Sequence, residues 1–149
     1  MCDNHDVLFK INTVVNSLNK NEDMNEQIKM LDPYRWKVFQ VLLLEGENAG
    51  GSGNLRDARN LTVTREEFDL FVGRHISQKV LIPEPNEVMQ NSYLLLDEGL
   101  RFLNCVGGGK TPSRSILDCG VEEALLEAGF DEERFEERGG VFEWKREIV

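Results

Sequence analysis

The chain is poor in the residues that most often announce chemistry. It holds three cysteines and two histidines in 149 residues. Cys2, Cys105 and Cys119 make no pair at metal-ligand spacing, and an odd number argues against a disulfide framework. Free thiols in a reducing cytoplasm are the simplest reading. His5 and His75 have no ligand-spaced cysteine or carboxylate beside them, so no metal or cofactor is expected. No apolar run approaches the roughly 20 residues that cross a bilayer. The first residues are acidic and lack the basic-then-apolar order of a secretory leader. A cytoplasmic location is therefore expected. Basic residues are also scarce: 17 Lys and Arg stand against 27 Asp and Glu, a net charge of −10. Residues 112–149 alone hold 5 basic and 11 acidic side chains. A duplex reader normally offers a basic face to phosphates, and a field of this sign opposes DNA at long range.

What is present suits a folded chain of one domain with a short appended element, since 40% of the residues are hydrophobic. Val7, Leu8, Ile11, Val14, Val15 and Leu18 form an apolar stripe at helical period, which predicts a first helix. Such a helix would pack on its own core or serve as a dimerisation arm. A polar linker, Asn19 to Asn25, follows. Asp32-Pro33 has the chemistry of a helix start, and Trp36, Phe39, Leu42 and Leu43 would give that helix a buried face. Gly46 to Gly53 reads as a flexible loop. A short helix over Leu55 to Leu61 precedes Thr64-Arg-Glu-Glu67, a capping box opening a helix through Phe68, Phe71, Val72 and Ile76. His75 falls at the edge of that buried side. Val80 to Ile82 and Ser92 to Leu96 read as two strands around a polar loop, with Pro83 and Pro85 ending the first. Asp97 to Leu103 reads as a closing helix. Further on, Ser115 to Gly129 predicts a helix with Val121, Ala124, Leu125 and Ala128 inward. Asp131 caps a short acidic helix ended by Gly139-Gly140, and Val141 to Ile148 alternates as a half-buried strand does.

That order, from Asp32 to Leu103, resembles the winged-helix domains of MarR-like regulators. Ser92-Tyr93-Leu-Leu-Leu-Asp97-Glu-Gly99 stands where those domains carry a Tyr-x-Leu-Thr-x-x-Gly-type strand and helix start. The resemblance implies an α+β fold: a winged helix-turn-helix core over 32–104, an N-terminal helix and linker over 1–31, and an acidic helical and strand extension over 105–149. It implies a DNA-binding transcriptional regulator, not an enzyme, that reads duplex DNA with the helix over 64–77 and the wing over 83–91. Arg65, Arg74 and Lys79 would contact DNA, with Arg56 and Arg59 on flanking phosphates. The wing loop, Glu84 to Asn91, contains no Lys or Arg, whereas the family's wing carries a cation. An acidic module docking on a basic protein, or mimicking nucleic acid to it, is the alternative.

Two further motifs compete. Cys105-Val-Gly-Gly-Gly-Lys110-Thr111 looks like a phosphate loop but has Asn104 where a P-loop needs glycine. With Gly129-Phe130 and Gly139-Gly-Val-Phe-Glu-Trp144, the same stretch is loosely similar to a rhodanese. That resemblance implies sulfur transfer through a Cys105 thiolate activated by loop amides and Lys110.

Overall fold

A computed structural model describes residues 7–44, 48–51, 56–106 and 109–143. The chain mixes helices with small sheets, and it divides into two compact units that interleave in sequence. Unit one takes 1–42, 58–86 and 142–149, and unit two takes 43–57 and 87–141.

Unit one is built on three parallel strands. β1 (Lys10–Val15), β2 (Arg35–Gln40) and β3 (Leu81–Glu84) lie side by side in chain order. α1 (Asn25–Leu31) connects β1 to β2, and α2 (Arg65–Arg74) precedes β3. Parallel neighbours need such crossovers, because a tight hairpin cannot return the chain to the same end.

Successive strand residues point to opposite faces. On one face Val15, Trp36 and Val38 join Ile28 of α1, Phe68 and Phe71 of α2, and Val63 in a single apolar core. Trp36 donates its indole N–H to Thr13 Oγ1 at 2.9 Å and meets Phe71 and His75 edge-on. His75 is fully buried. One ring nitrogen accepts the Met24 N–H at 2.8 Å, and the other lies 2.8 Å from the Phe71 carbonyl oxygen. The entry to α1 is thereby tied to the end of α2. The capping box at Thr64 forms as read: its hydroxyl accepts from the Glu67 N–H, and the Glu67 carboxylate accepts from the Thr64 N–H. The bond from Lys20, helped by the Thr64 N–H, holds the Glu67 carboxyl below its ordinary value.

Unit two contains α3 (Asn86–Met89, its first residue shared with unit one), the antiparallel pair β4 (Arg101–Asn104) and β5 (Thr111–Ser115), then α4 (Ile116–Cys119), α5 (Val121–Glu127) and α6 (Glu132–Glu137). Asp97 organises the turn into β4. It accepts from the Arg101 guanidinium and from the Arg101 and Gly99 N–H groups, which holds its carboxyl below the usual range. The Arg114 N–H and guanidinium do the same for Glu127. Asp131 caps α6 as expected, and Gly139, at φ 68°, ends it.

Several expectations are corrected here. The stripe from Val7 to Leu18 is a strand, not a helix: Val15 is buried, while Val14 and Leu18 are 49% and 81% exposed. The dimerisation arm built on that helix goes with it. The segment carrying Trp36 and Phe39 is the central strand. Its pairing with β1 and β3 outweighs the helix-start chemistry of Asp32-Pro33. Asp32 instead closes α1 in the left-handed region at φ 45°. The wing does not form: β3 pairs in parallel with β2, and Ser92 to Leu96 contributes only the isolated bridge Leu96–Phe102. The expected closing helix over Asp97 to Leu103 is a turn and β4. The expected helix over Ser115 to Gly129 is split by Gly120, at φ 86°; Ala124 and Ala128 are buried, but Val121 is 56% exposed. Arg59–Leu61 forms one 3-10 turn, whereas Leu55 and half of the Gly46 to Gly53 loop lie outside the described residues. Val141 to Glu143 is not in a strand, and the rest of that predicted strand lies outside the described residues.

Candidate functional site

The second face of the parallel sheet is the unusual one. Strands covered on both faces normally read as near-continuous apolar runs. Here the residues that alternate with the core are Lys10, Asn12 and Val14 on β1, Arg35, Lys37 and Phe39 on β2, and Ile82 and Glu84 on β3. The register aligns them in rows: Lys10 beside Arg35, Asn12 beside Lys37 and Ile82, and Val14 beside Phe39 and Glu84. Three cations and one carboxylate thus share one face.

Burial grades across it. Lys10 and Asn12 are exposed, while Arg35, Lys37 and Glu84 retain 5%, 7% and 0% of their surface. Lys37 donates to Glu84 in a buried ion pair. The Arg35 guanidinium lies 4.2 Å from the centre of the Phe142 ring, which Tyr34 meets edge-on. On the opposite, core face, Gln40 braces the far end of the sheet. Gln40 donates to the Val63 carbonyl at 3.1 Å and accepts the Asn86 N–H at 3.2 Å. Next to the opposite ends of the strands, a hollow of about 460 Å³ opens among Phe9, Asp32, Tyr34 and Val80. The polar face can neutralise and orient an anion. Among the described residues, no group of three His, Cys, Asp or Glu could hold a metal ion.

Of the residues read as DNA contacts, two make contacts within unit one. Arg65 bonds Asp69 one turn along α2 at 2.9 Å. Arg74 donates to the carbonyls of Lys20 and Glu22 at 3.1 Å, anchoring the turn before α1. Arg59 lies in the 3-10 turn, Lys79 in the turn before β3, and Arg56 in unit two. Arg65 and Arg74 sit at opposite ends of α2. Cys105 is partly buried with its thiol 3.7 Å from the Leu103 carbonyl, and its loop runs into undescribed residues 107–108.

The sequence reading missed Lys10, Asn12, Arg35, Lys37 and Glu84. A signal was present, since Lys10-x-Asn12 and Arg35-x-Lys37 alternate at strand period within apolar segments. The apolar spacing fitted a helix as well, so the polar alternation carried no weight.

No protein-family model matches the chain. Three relatives do. A protein of Danio rerio named S-adenosylmethionine-dependent nucleotide dehydratase RSAD2 is 52% identical over 145 residues, covering 97% of this chain and 40% of that protein. A Siniperca chuatsi protein of the same name is 51% identical over 97% of this chain and 41% of its own length. A Flammeovirga pacifica protein named S-adenosylmethionine-dependent nucleotide dehydratase is 40% identical over 92% of this chain and 45% of its own length. The chain therefore spans less than half the length of these relatives. Their names are those of enzymes, which overturns the expectation of a non-enzymatic transcriptional regulator.

Proposed function

We propose that this chain forms part of an S-adenosylmethionine-dependent nucleotide dehydratase and that its polar sheet face holds the nucleotide's phosphates. The observation that carries the reading is the placing of Lys10, Arg35 and Lys37 on one face of the parallel sheet, with Asn12 between them. A nucleotide's anionic end asks for such donors. Lysine supplies a compact charge, and arginine a fork that matches two phosphate oxygens at once. Asn12 adds neutral donors that keep an oxygen in register. In partly buried surroundings each contact is stronger than in open water.

S-Adenosylmethionine, which the relatives' names include, asks for more than this face supplies. Its ammonium and adenine need acceptors, and the carboxylate on this face, Glu84, already receives Lys37. The described residues fit the phosphates and do not by themselves make a cradle for the cofactor. The part assigned to this chain is anchorage: it fixes the charged end of the substrate.

Calorimetric titration of the chain with ATP, GTP, CTP and UTP, each beside its nucleoside, tests the proposal. Triphosphates are expected to bind more tightly than nucleosides, with affinity that falls as salt rises. Lys37→Met and Arg35→Met should each weaken binding about 10-fold, the scale of one charged hydrogen bond. Equal affinity for nucleoside and triphosphate would refute it.

A further inference from the structure

The geometry points to Glu84 as a positioning residue that fixes the Lys37 ammonium for phosphate binding, an inference that rests on the proposed function. The register sets the problem. Lys37 stands beside Ile82, whereas Glu84 stands one row further on, beside Phe39. To reach Glu84, the lysine stem must run diagonally toward the ends of the strands. A four-carbon stem otherwise has many rotamers, and choosing one costs entropy. The carboxylate makes that choice before a ligand arrives.

Glu84 is mounted for such a role. Prolines flank it on both sides: Pro83 inside β3 and Pro85 just after it. Each ring locks its own φ, and a residue before proline is held extended. The next residue, Asn86, is pinned at its N–H by Gln40 and at its side-chain amide by the Val41 carbonyl at 3.3 Å. The carboxylate therefore projects from a stiff stretch of backbone and is fully buried. An apolar pair of similar volume commonly serves stability as well as a buried ion pair does. An ammonium has three donors. One goes to Glu84, which fixes where the positive charge sits on the face.

The test is a double-mutant cycle on nucleoside triphosphate affinity, using the four triphosphates named above and the folded chain. Lys37→Met should weaken binding about 10-fold. Glu84→Met should weaken it similarly, and adding Glu84→Met to Lys37→Met should cause little further loss. Glu84→Gln, which keeps an acceptor in place, should stay within about threefold of the parent. Should Glu84→Met fail to fold, Glu84→Asp replaces it; its carboxylate is one methylene short and should also lose about 10-fold. A merely structural role would lower the thermal midpoint and the affinity together in each single variant and restore both in the double variant, and that result overturns the inference. Full affinity in folded Glu84→Met overturns it too, while leaving the phosphate site intact if Lys37→Met has lost affinity. No loss in Lys37→Met sinks the phosphate reading and this inference with it.

Discussion

Three apolar residues in one short stretch separate a strand from a helix without any functional assay. The spacing of Val7 to Leu18 satisfies a helical stripe, in which Val14, Val15 and Leu18 would all be buried. In the structure only Val15 is, at 0% exposure, against 49% for Val14 and 81% for Leu18. Val15→Ala removes two methyl-sized groups from a closed core. At about 0.8 kcal/mol for each buried group, transfer alone costs about 1.6 kcal/mol. The cavity left behind brings the total to about 2–3 kcal/mol. Val14→Ala should cost at most half the transfer figure, about 0.8 kcal/mol. Leu18→Ala should stay within about 0.5 kcal/mol of the parent. Urea unfolding can be followed by tryptophan fluorescence in a Trp144→Phe background, so that the buried Trp36 alone reports on unit one. If Val14→Ala and Leu18→Ala cost as much as Val15→Ala, the strand and the polar face built on its alternation are wrong.

Other consequences are local. Thr64→Ala removes the hydroxyl half of the capping box and should lower stability by about 1 kcal/mol in the same urea assay. Gly129 sits at φ 62°, and a Cβ there would lie 2.6–2.7 Å from the Asn104 and Val106 side chains. Gly129→Ala should therefore lower the thermal midpoint clearly, whereas Gly120→Ala, with nothing within 4 Å, bears only its backbone strain. Glu67, Asp97 and Glu127 are held below their ordinary values by the bonds they accept. Carboxyls depressed in the folded state contribute stability above their unfolded values, near 4, and lose it as pH falls through the folded ones. Thermal midpoints should therefore change little, through these groups, from pH 7 to 5 and decline below about pH 4.

What the sequence made legible was the local chemistry. The capping box at Thr64, the Asp131 cap and the glycine end of α6 are decided by residues three or four apart, and they formed as read. A strand near Val80 to Ile82 also formed, but its partner was misjudged. Pairing depends on β2, more than 40 residues upstream, and no local pattern reports it. β1 and β2 were lost for a different reason. Their apolar residues fit both periods, and only the alternation of Lys10, Asn12, Arg35 and Lys37 broke the tie. The site was illegible because it is made by register. Lys37 and Glu84 are 47 residues apart and meet only when β2 and β3 lie parallel. The arginines on α2 drew attention because a helix-turn-helix would expose them. In the fold they bind Asp69 and the carbonyls before α1.

The most direct test of the central claim is a map of backbone amide shifts as a nucleoside triphosphate is added to the isotopically labelled chain. The account predicts that the largest changes fall on β1 and β2, at Lys10, Asn12, Arg35 and Lys37, and that the nucleoside alone leaves those amides unmoved. Changes centred on Arg65 and Arg74 of α2, with the sheet silent, would contradict it.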